Sequence, residues 1–420
     1  MPLRIGVNAL YLIPGGVGGT ETYLRGLLSA LAEIDSRNEY FVFSNRETGP
    51  DLTPSRPNFT SAPQPVHAAS RTARILWEQT GLSINALRLR LDVMLNPGFT
   101  APLFCPCPQV TVFHDMQHKR HPEYFRWFDL PFWDFFLFWS AQISRIVLVD
   151  SEATAQDLAR YYRLSPSHER AASDSRGGGT RVPYEYAPRV APRLAASKVR
   201  VVPLGVDRAF FSLARHRHPE PFLLAVSTLH PHKNLDGLLR AFAVFRRRYP
   251  EFRLVICGLH GFFAQPLQEL RASLGLANAV EFPGWIRREE LYELYSHAWA
   301  FVYPSLFEGF GLPVLEALAA GVPTACSNIE PVSSVAGPAA IQFDPKDQAQ
   351  IIDALMRITG DESLRALLAE CGPRQAGKFS WKTTAQATLD AIREASGDLP
   401  GAGRAPSKRV GAPGSGQPRR

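Results

Sequence analysis

Phe301-Val-Tyr-Pro-Ser-Leu-Phe-Glu308-Gly-Phe-Gly-Leu-Pro-Val-Leu-Glu316 reads as a strand, a glycine loop and the start of a helix. Phe301 to Tyr303 is an apolar run of strand type, Glu308 to Leu312 is the loop, and Pro313 suits a first helical turn, where its missing N–H costs nothing. Such a loop presents free backbone N–H groups beside the positive end of a helix dipole, which suits a diphosphate. Glu308 and Glu316 cannot be there to bind phosphate, because like charges repel. Carboxylates accept well from hydroxyls, so the pair fits sugar rings on either side of a diphosphate. The plainer alternative is that Glu316 favours the helix start and Glu308 caps the loop.

Working outward, strands and helices alternate on both sides of this segment. Phe222 to Val226, Leu254 to Cys257, Val280 to Phe282, Ala300 to Tyr303 and Thr324 to Ser327 read as strands, and Leu235 to Phe245 as a helix. Further upstream, Leu3 to Ala9 is a buried first strand running into the loop Pro14-Gly-Gly-Val-Gly-Gly19, with Thr20 placed to cap the next helix. Tyr40 to Phe43, Asp92 to Leu95, Gln109 to Phe113 and Ile146 to Val149 continue the pattern. The expected fold class is therefore α/β, two Rossmann-like doubly wound domains facing across a cleft. The expected boundaries are 1–215, with a flexible insertion at 165–197 rich in Arg, Pro, Ser and Gly, then 216–395, then a disordered tail at 396–420.

Composition bounds the function. A chain of 420 residues with 45% hydrophobic residues has enough apolar surface for two cores. A net charge of +7 is compatible with nucleotide diphosphates or an anionic membrane, with nucleic acid the least favoured partner. The five cysteines (Cys105, Cys107, Cys257, Cys326, Cys371) lie mostly in apolar runs and suggest a reducing compartment; Cys105-Pro-Cys107 lacks a second ligand pair, so no metal is expected. The first strand predicts no secretory leader, and no apolar stretch is long enough to span a bilayer. The expected location is cytoplasmic, at most at the inner face of the membrane.

The glutamate, seven residues, glutamate pattern of Glu308 to Glu316 resembles that of retaining family 4 glycosyltransferases of the GT-B fold (glycosyl transferases group 1), with the flavour of bacterial mannosyltransferases of surface polysaccharide synthesis. Other segments match in order: Val201 to Asp207, Thr228-Leu-His-Pro-His-Lys-Asn234, Val280-Glu-Phe-Pro-Gly-Trp285, His114-Asp115 and Asp150-Ser-Glu152. The resemblance covers about residues 3 to 165 and 198 to 395. It implies that Lys233 neutralises a donor diphosphate, Glu316 binds ribose hydroxyls and Glu308 binds the transferred sugar. Main-chain groups of Phe310, Gly311 and Leu312 would complete the phosphate cradle. Gly284 and Trp285 would flank the base, and Gly18 and Gly19 would approach the donor phosphates or the acceptor. Ser227-Thr228 stands where relatives carry Gly-Arg, and His232 where they often carry arginine; His232 would replace that cation only when protonated, and Arg287 or Arg288 are the other candidates.

His114, following a strand, is either structural or placed to contact the sugar or the acceptor hydroxyl, with Asp115 either orienting it or capping the next turn. The aromatic segment Tyr124 to Trp139 suits either burial or a membrane interface. A dinucleotide reading of the first glycine loop is weak, because the second strand ends in Phe43-Ser-Asn45 with no acid for a ribose. The expectation is retaining, metal-free transfer of a hexose, without a cofactor, from a nucleoside-diphosphate sugar. GDP-mannose is the first choice of donor, and the acceptor is a saccharide or lipid-linked saccharide. A sugar-nucleotide epimerase or a degenerate non-catalytic donor-binding protein are the alternatives.

Overall fold

The computed structural model describes residues 1–48, 50–164, 198–216 and 218–397. The expected insertion at 165–197 and the tail beyond 397 lie outside these residues. Two all-parallel sheets organise the chain. The first joins β1 (Arg4–Asn8), β2 (Glu39–Phe43), β3 (Phe59–Ser61), β4 (Val93–Asn96), β5 (Gln109–Phe113), β6 (Ile146–Val149) and β7 (Val199–Val201) in the order β3-β2-β1-β4-β5-β6-β7. The second joins β8 (Phe222–Val226), β9 (Arg253–Cys257), β10 (Val280–Gly284), β11 (Ala300–Tyr303), β12 (Thr324–Ser327) and β13 (Ile341–Phe343) in the order β10-β9-β8-β11-β12-β13.

In both sheets the order reverses beside the first strand of the unit: β1 pairs β2 on one edge and β4 on the other, and β8 pairs β9 and β11. Connections leave the sheet in opposite directions from such a point, so a crevice opens at the carboxyl ends of the strands there. The strands are apolar runs because helices cover both faces; all residues of β4, β5, β6 and β11 are buried.

The sequence division assigned residues 216–395 to the second unit, but the final helix, Trp381–Ser396, packs on the first. Gly26, in helix Gly19–Ile34, makes room for it: a Cβ there would lie 2.4 Å from the Trp381 indole. Thr384 Oγ1 donates to Pro203 O (2.7 Å), and Arg200 pairs with Glu394 (2.8 Å). The chain thus crosses the cleft twice, which ties the two units together behind the site.

Candidate active site

The Glu308 loop leaves β11, and the Thr228 loop leaves β8, its sheet neighbour. The two meet at the crevice. Lys233 closes a short turn, Pro231–Lys233, and its Nζ lies 2.6 Å from Glu308 Oε1. The same oxygen accepts from Tyr303 OH (2.7 Å) and Ser305 Oγ (2.6 Å), so all three donors converge on one side of the carboxylate. Among the described residues nothing donates to Glu308 Oε2, which leaves it available to a ligand hydroxyl. The pair is largely enclosed, with 15% and 10% side-chain exposure, and charge interactions are strengthened there. Gly311 takes φ +107 at the N-terminus of helix Leu312–Ala319, a conformation that favours glycine, while Phe310 is buried against Phe379. The backbone amides of Gly311 and Leu312 lie at this helix start, where N–H groups have no partner within the helix.

Glu316 is buried in the second turn of that helix. It accepts from Tyr295 OH (3.2 Å) and faces Arg288 Nη1 at 3.6 Å. Burial pushes its carboxyl above the usual carboxylate range, against the pull of Arg288 and Tyr295. Arg288 also donates to Asp207 Oδ2 (3.1 Å), whereas Arg287 turns to Glu290. Of the two arginines, then, Arg288 joins the site, but on the Glu316 side rather than beside Lys233. Trp285 is 57% exposed, so it is no core residue; a side chain at Gly15 would approach its indole to 3.3 Å, which places it across the cleft from the first glycine loop. Gly284, at φ +78, gives the turn that exposes it.

From the first unit, Gly18 faces open space and Gly19 faces Leu312 across the cleft, at 3.8 Å for an added Cβ. The carbonyl of His114 abuts Gly309, where an added Cβ would lie 2.1 Å away. Both ring nitrogens of His114 are occupied: Nδ1 bonds Asp150 Oδ2 (2.7 Å) and Nε2 bonds Pro97 O (2.9 Å). Two acceptors require two N–H donors, so the ring is held as an imidazolium. Burial opposes that charge, but Asp150 outweighs it and the pKa is raised. The orienter is therefore Asp150 rather than Asp115, which caps Gln117 N (2.8 Å), and the His114 ring is not free to meet a substrate hydroxyl.

His232 is corrected as well. Its Nδ1 accepts from Gln117 Nε2 (2.8 Å) across the cleft, and burial, with Lys233 and two histidines nearby, pushes its pKa down to about 2. It is neutral and cannot replace a missing arginine. Thr228 lies in the loop that begins after β8, with its carbonyl bonded to His230 N (2.8 Å). A cavity of about 360 Å³ opens against Glu308, lined by Arg120, His121, Thr154 and Asp157 from the first unit and Phe307 and Lys346 from the second. These cavity residues were not singled out from sequence, since they come from separate elements without a shared motif.

This geometry is that of a two-domain α/β protein whose tandem Rossmann-like units meet at a shared cleft. The profile described as "Glycosyl transferases group 1" matches residues 208–375, and "Glycosyltransferase Family 4" matches residues 17–170. The chain belongs to these glycosyltransferases. O-antigen chain mannosyltransferase B of Escherichia coli is 28% identical over 289 residues, 68% of this chain and 70% of that protein. The serotype-specific mannosyltransferase WbdA of Escherichia coli is 32% identical over 181 residues, but the match spans only 22% of its length. Among solved structures, sucrose-phosphate synthase from Thermosynechococcus elongatus superposes with a TM-score of 0.70 at 17% identity, over 93% of this chain and 98% of that one. Anabaena HepE, in complex with UDP and glucose, gives 0.66 at 16% identity, over 93% and 99%. At such identities the structural likeness concerns the fold.

Proposed function

We propose that the protein transfers a hexose, mannose first, from a nucleoside-diphosphate sugar to a hydroxyl of a saccharide or lipid-linked saccharide, with retention at the anomeric carbon. The observation that carries this reading is the convergence of Lys233, Tyr303 and Ser305 on one oxygen of Glu308 at a glycine loop that opens a helix. GDP-mannose as donor draws support from the mannosyltransferases among the relatives, and a UDP-sugar from the ligand of HepE.

In this reading the diphosphate lies over the amides of Phe310, Gly311 and Leu312. Its arrival draws Lys233 from Glu308, and the lysine then stabilises the negative charge that builds on the leaving phosphate. Glu308 accepts from a sugar hydroxyl, Glu316 from the ribose, and Trp285 stacks on the base. In a front-face displacement the acceptor oxygen bonds the anomeric carbon as the bond to phosphate breaks, and the acceptor proton passes to the leaving phosphate oxygen. His114 acts here as a positioning residue, fixing the loop whose carbonyl faces Gly309.

The test is a melting-temperature panel of GDP, UDP, ADP and dTDP on the wild type and Glu316→Ala, followed by NMR of the glycoside formed from the nucleotide that binds. A ligand that binds only the native state raises the melting temperature by mass action. Stabilisation by one nucleotide, lost in Glu316→Ala, and a product with the donor's anomeric configuration are expected. No stabilisation at about millimolar nucleotide would sink the donor site, and an inverted product would sink retention.

A further inference from the structure

Arg74 stands on helix Arg71–Trp77 in the first unit, only 7% exposed. Its Nε is enclosed without a hydrogen-bond partner; burial weighs against its charge, and the Glu78 carboxyl supports that charge through space, with no hydrogen bond or ion pair to the guanidinium among the described residues. The nearest acid in sequence, Glu78, is 1% exposed and already accepts from Asn8 Nδ2 (3.2 Å) and Thr100 Oγ1 (3.0 Å). Burial pushes the Glu78 carboxyl upward, against the pull of Arg74, and so favours its neutral form. A desolvated guanidinium with open donors is unfavourable in the ligand-free fold. A bound oxyanion removes that penalty.

Location supplies the second argument. Asn8 and Asn96 end β1 and β4, the two strands between which the sheet order reverses, and Asn8 Nδ2 also donates to Asn96 Oδ1 (3.2 Å). The loop after β4 links this cluster to the cleft: Thr100 donates to Glu78, while Pro97 O receives His114 Nε2. Tyr11, in the turn after β1, is a further group acting electrostatically on Arg74, and its hydroxyl donates to Thr20 O (3.3 Å) just past the glycine loop. Arg71, one turn before Arg74, pairs with Asp129 (3.1 Å) and lies 5.4 Å from the Trp133 ring, which joins this helix to the exposed aromatic segment.

We propose that Arg74 seats a phosphate group of the acceptor, at the crevice of the first unit and opposite the donor. The planar fork of a guanidinium matches two phosphate oxygens and positions the acceptor for attack. The proposal rests on the glycosyltransfer reading for the word acceptor, but not for the anion site itself. The phosphate belongs to either a soluble sugar phosphate or a lipid headgroup.

The experiment measures melting temperature with saturating GDP, which fills the donor site, then titrates glycerol 3-phosphate in one arm. The other arm uses phosphatidylcholine vesicles doped with phosphatidic acid. Wild type, Arg74→Gln and Arg74→Lys are compared. In Arg74→Gln the half-saturating concentration of the responding probe rises by about tenfold or more, with the GDP response unchanged. The variant's own melting temperature holds, because the guanidinium makes no hydrogen bond or ion pair among the described residues. Arg74→Lys, which keeps the charge and loses the fork, also binds the probe more weakly. The arm that responds names the source of the phosphate. A probe response equal in wild type and Arg74→Gln, or absent from both arms in wild type, overturns the proposal. So does a lowered melting temperature in Arg74→Gln with the response retained, which marks a structural arginine. Failure of GDP alone to stabilise wild type counts against the glycosyltransferase reading, while the phosphate titration still decides Arg74.

Discussion

His114 and Asp150 form a buried ion pair whose proton is fixed by geometry, since Pro97 O occupies the remaining ring nitrogen. A histidine with a raised folded pKa contributes stability that is complete below its unfolded value of about 6.5 and is lost as pH rises through the folded value. Asp150→Asn should therefore cost on the order of 3 kcal/mol at low pH, the scale of removing one partner of a buried pair. The difference from wild type should narrow as pH rises, which denaturant titrations across the pH range would show. A difference independent of pH would mean that the ring is neutral. The sequence marked His114 as a residue at a strand end, but not its partner. Asp115, the adjacent acid, points elsewhere, and Asp150 arrives from β6 through strand pairing. His232 is the converse case: its neutrality comes from burial and Gln117, neither of which a local motif encodes.

At the scale of elements, the aromatic segment divides. Only Leu137, Ser140 and Ala141 of helix Leu130–Ile143 are fully buried, while Trp127 (81%), Phe128 (56%), Phe135 and Trp139 remain exposed. Burial against the sheet therefore accounts for part of the segment only. No described helix is long and apolar enough to cross a membrane, so a contact through this element would be interfacial. Flotation with phosphatidylglycerol vesicles should carry wild type upward and leave the Trp127→Ser/Phe128→Ser variant behind, with its stability within about 0.5 kcal/mol of wild type as for most exposed substitutions. Wild type remaining at the bottom would refute the membrane contact. The interior strands were legible because their apolar runs are continuous. The edge strands β3 and β13 were not, since three residues with partly exposed faces carry too little pattern.

Across the whole molecule, the site depends on how closely the two units approach. Gly309 touches the His114 carbonyl, and Gly19 faces Leu312, so backbone from each unit meets backbone or side chain from the other. Gly309→Ala puts a methyl group where the His114 carbonyl lies, at 2.1 Å. The units must then separate. Nucleotide affinity, which the proposed function assigns to the second unit, should persist, while kcat falls about 100-fold, as ångström-scale misplacement does. Wild-type turnover in this variant would show that the units do not approach this closely during reaction. The final helix, returning to seat Trp381 against Gly26 of the first unit, keeps this approach from being a matter of one linker alone.

The sequence by itself determined the tandem parallel-sheet class and the strand, glycine loop and helix start around Glu308, because both are written locally: apolar runs set the strands, and glycine, proline and glutamate at fixed spacing set the loop and helix start. The tertiary structure decided the partners. Lys233 with Glu308, Asp150 with His114 and Arg288 with Glu316 are juxtapositions across elements far apart in the chain. Their charge states follow from burial and from neighbours delivered by strand order, and no run of adjacent residues carries that information.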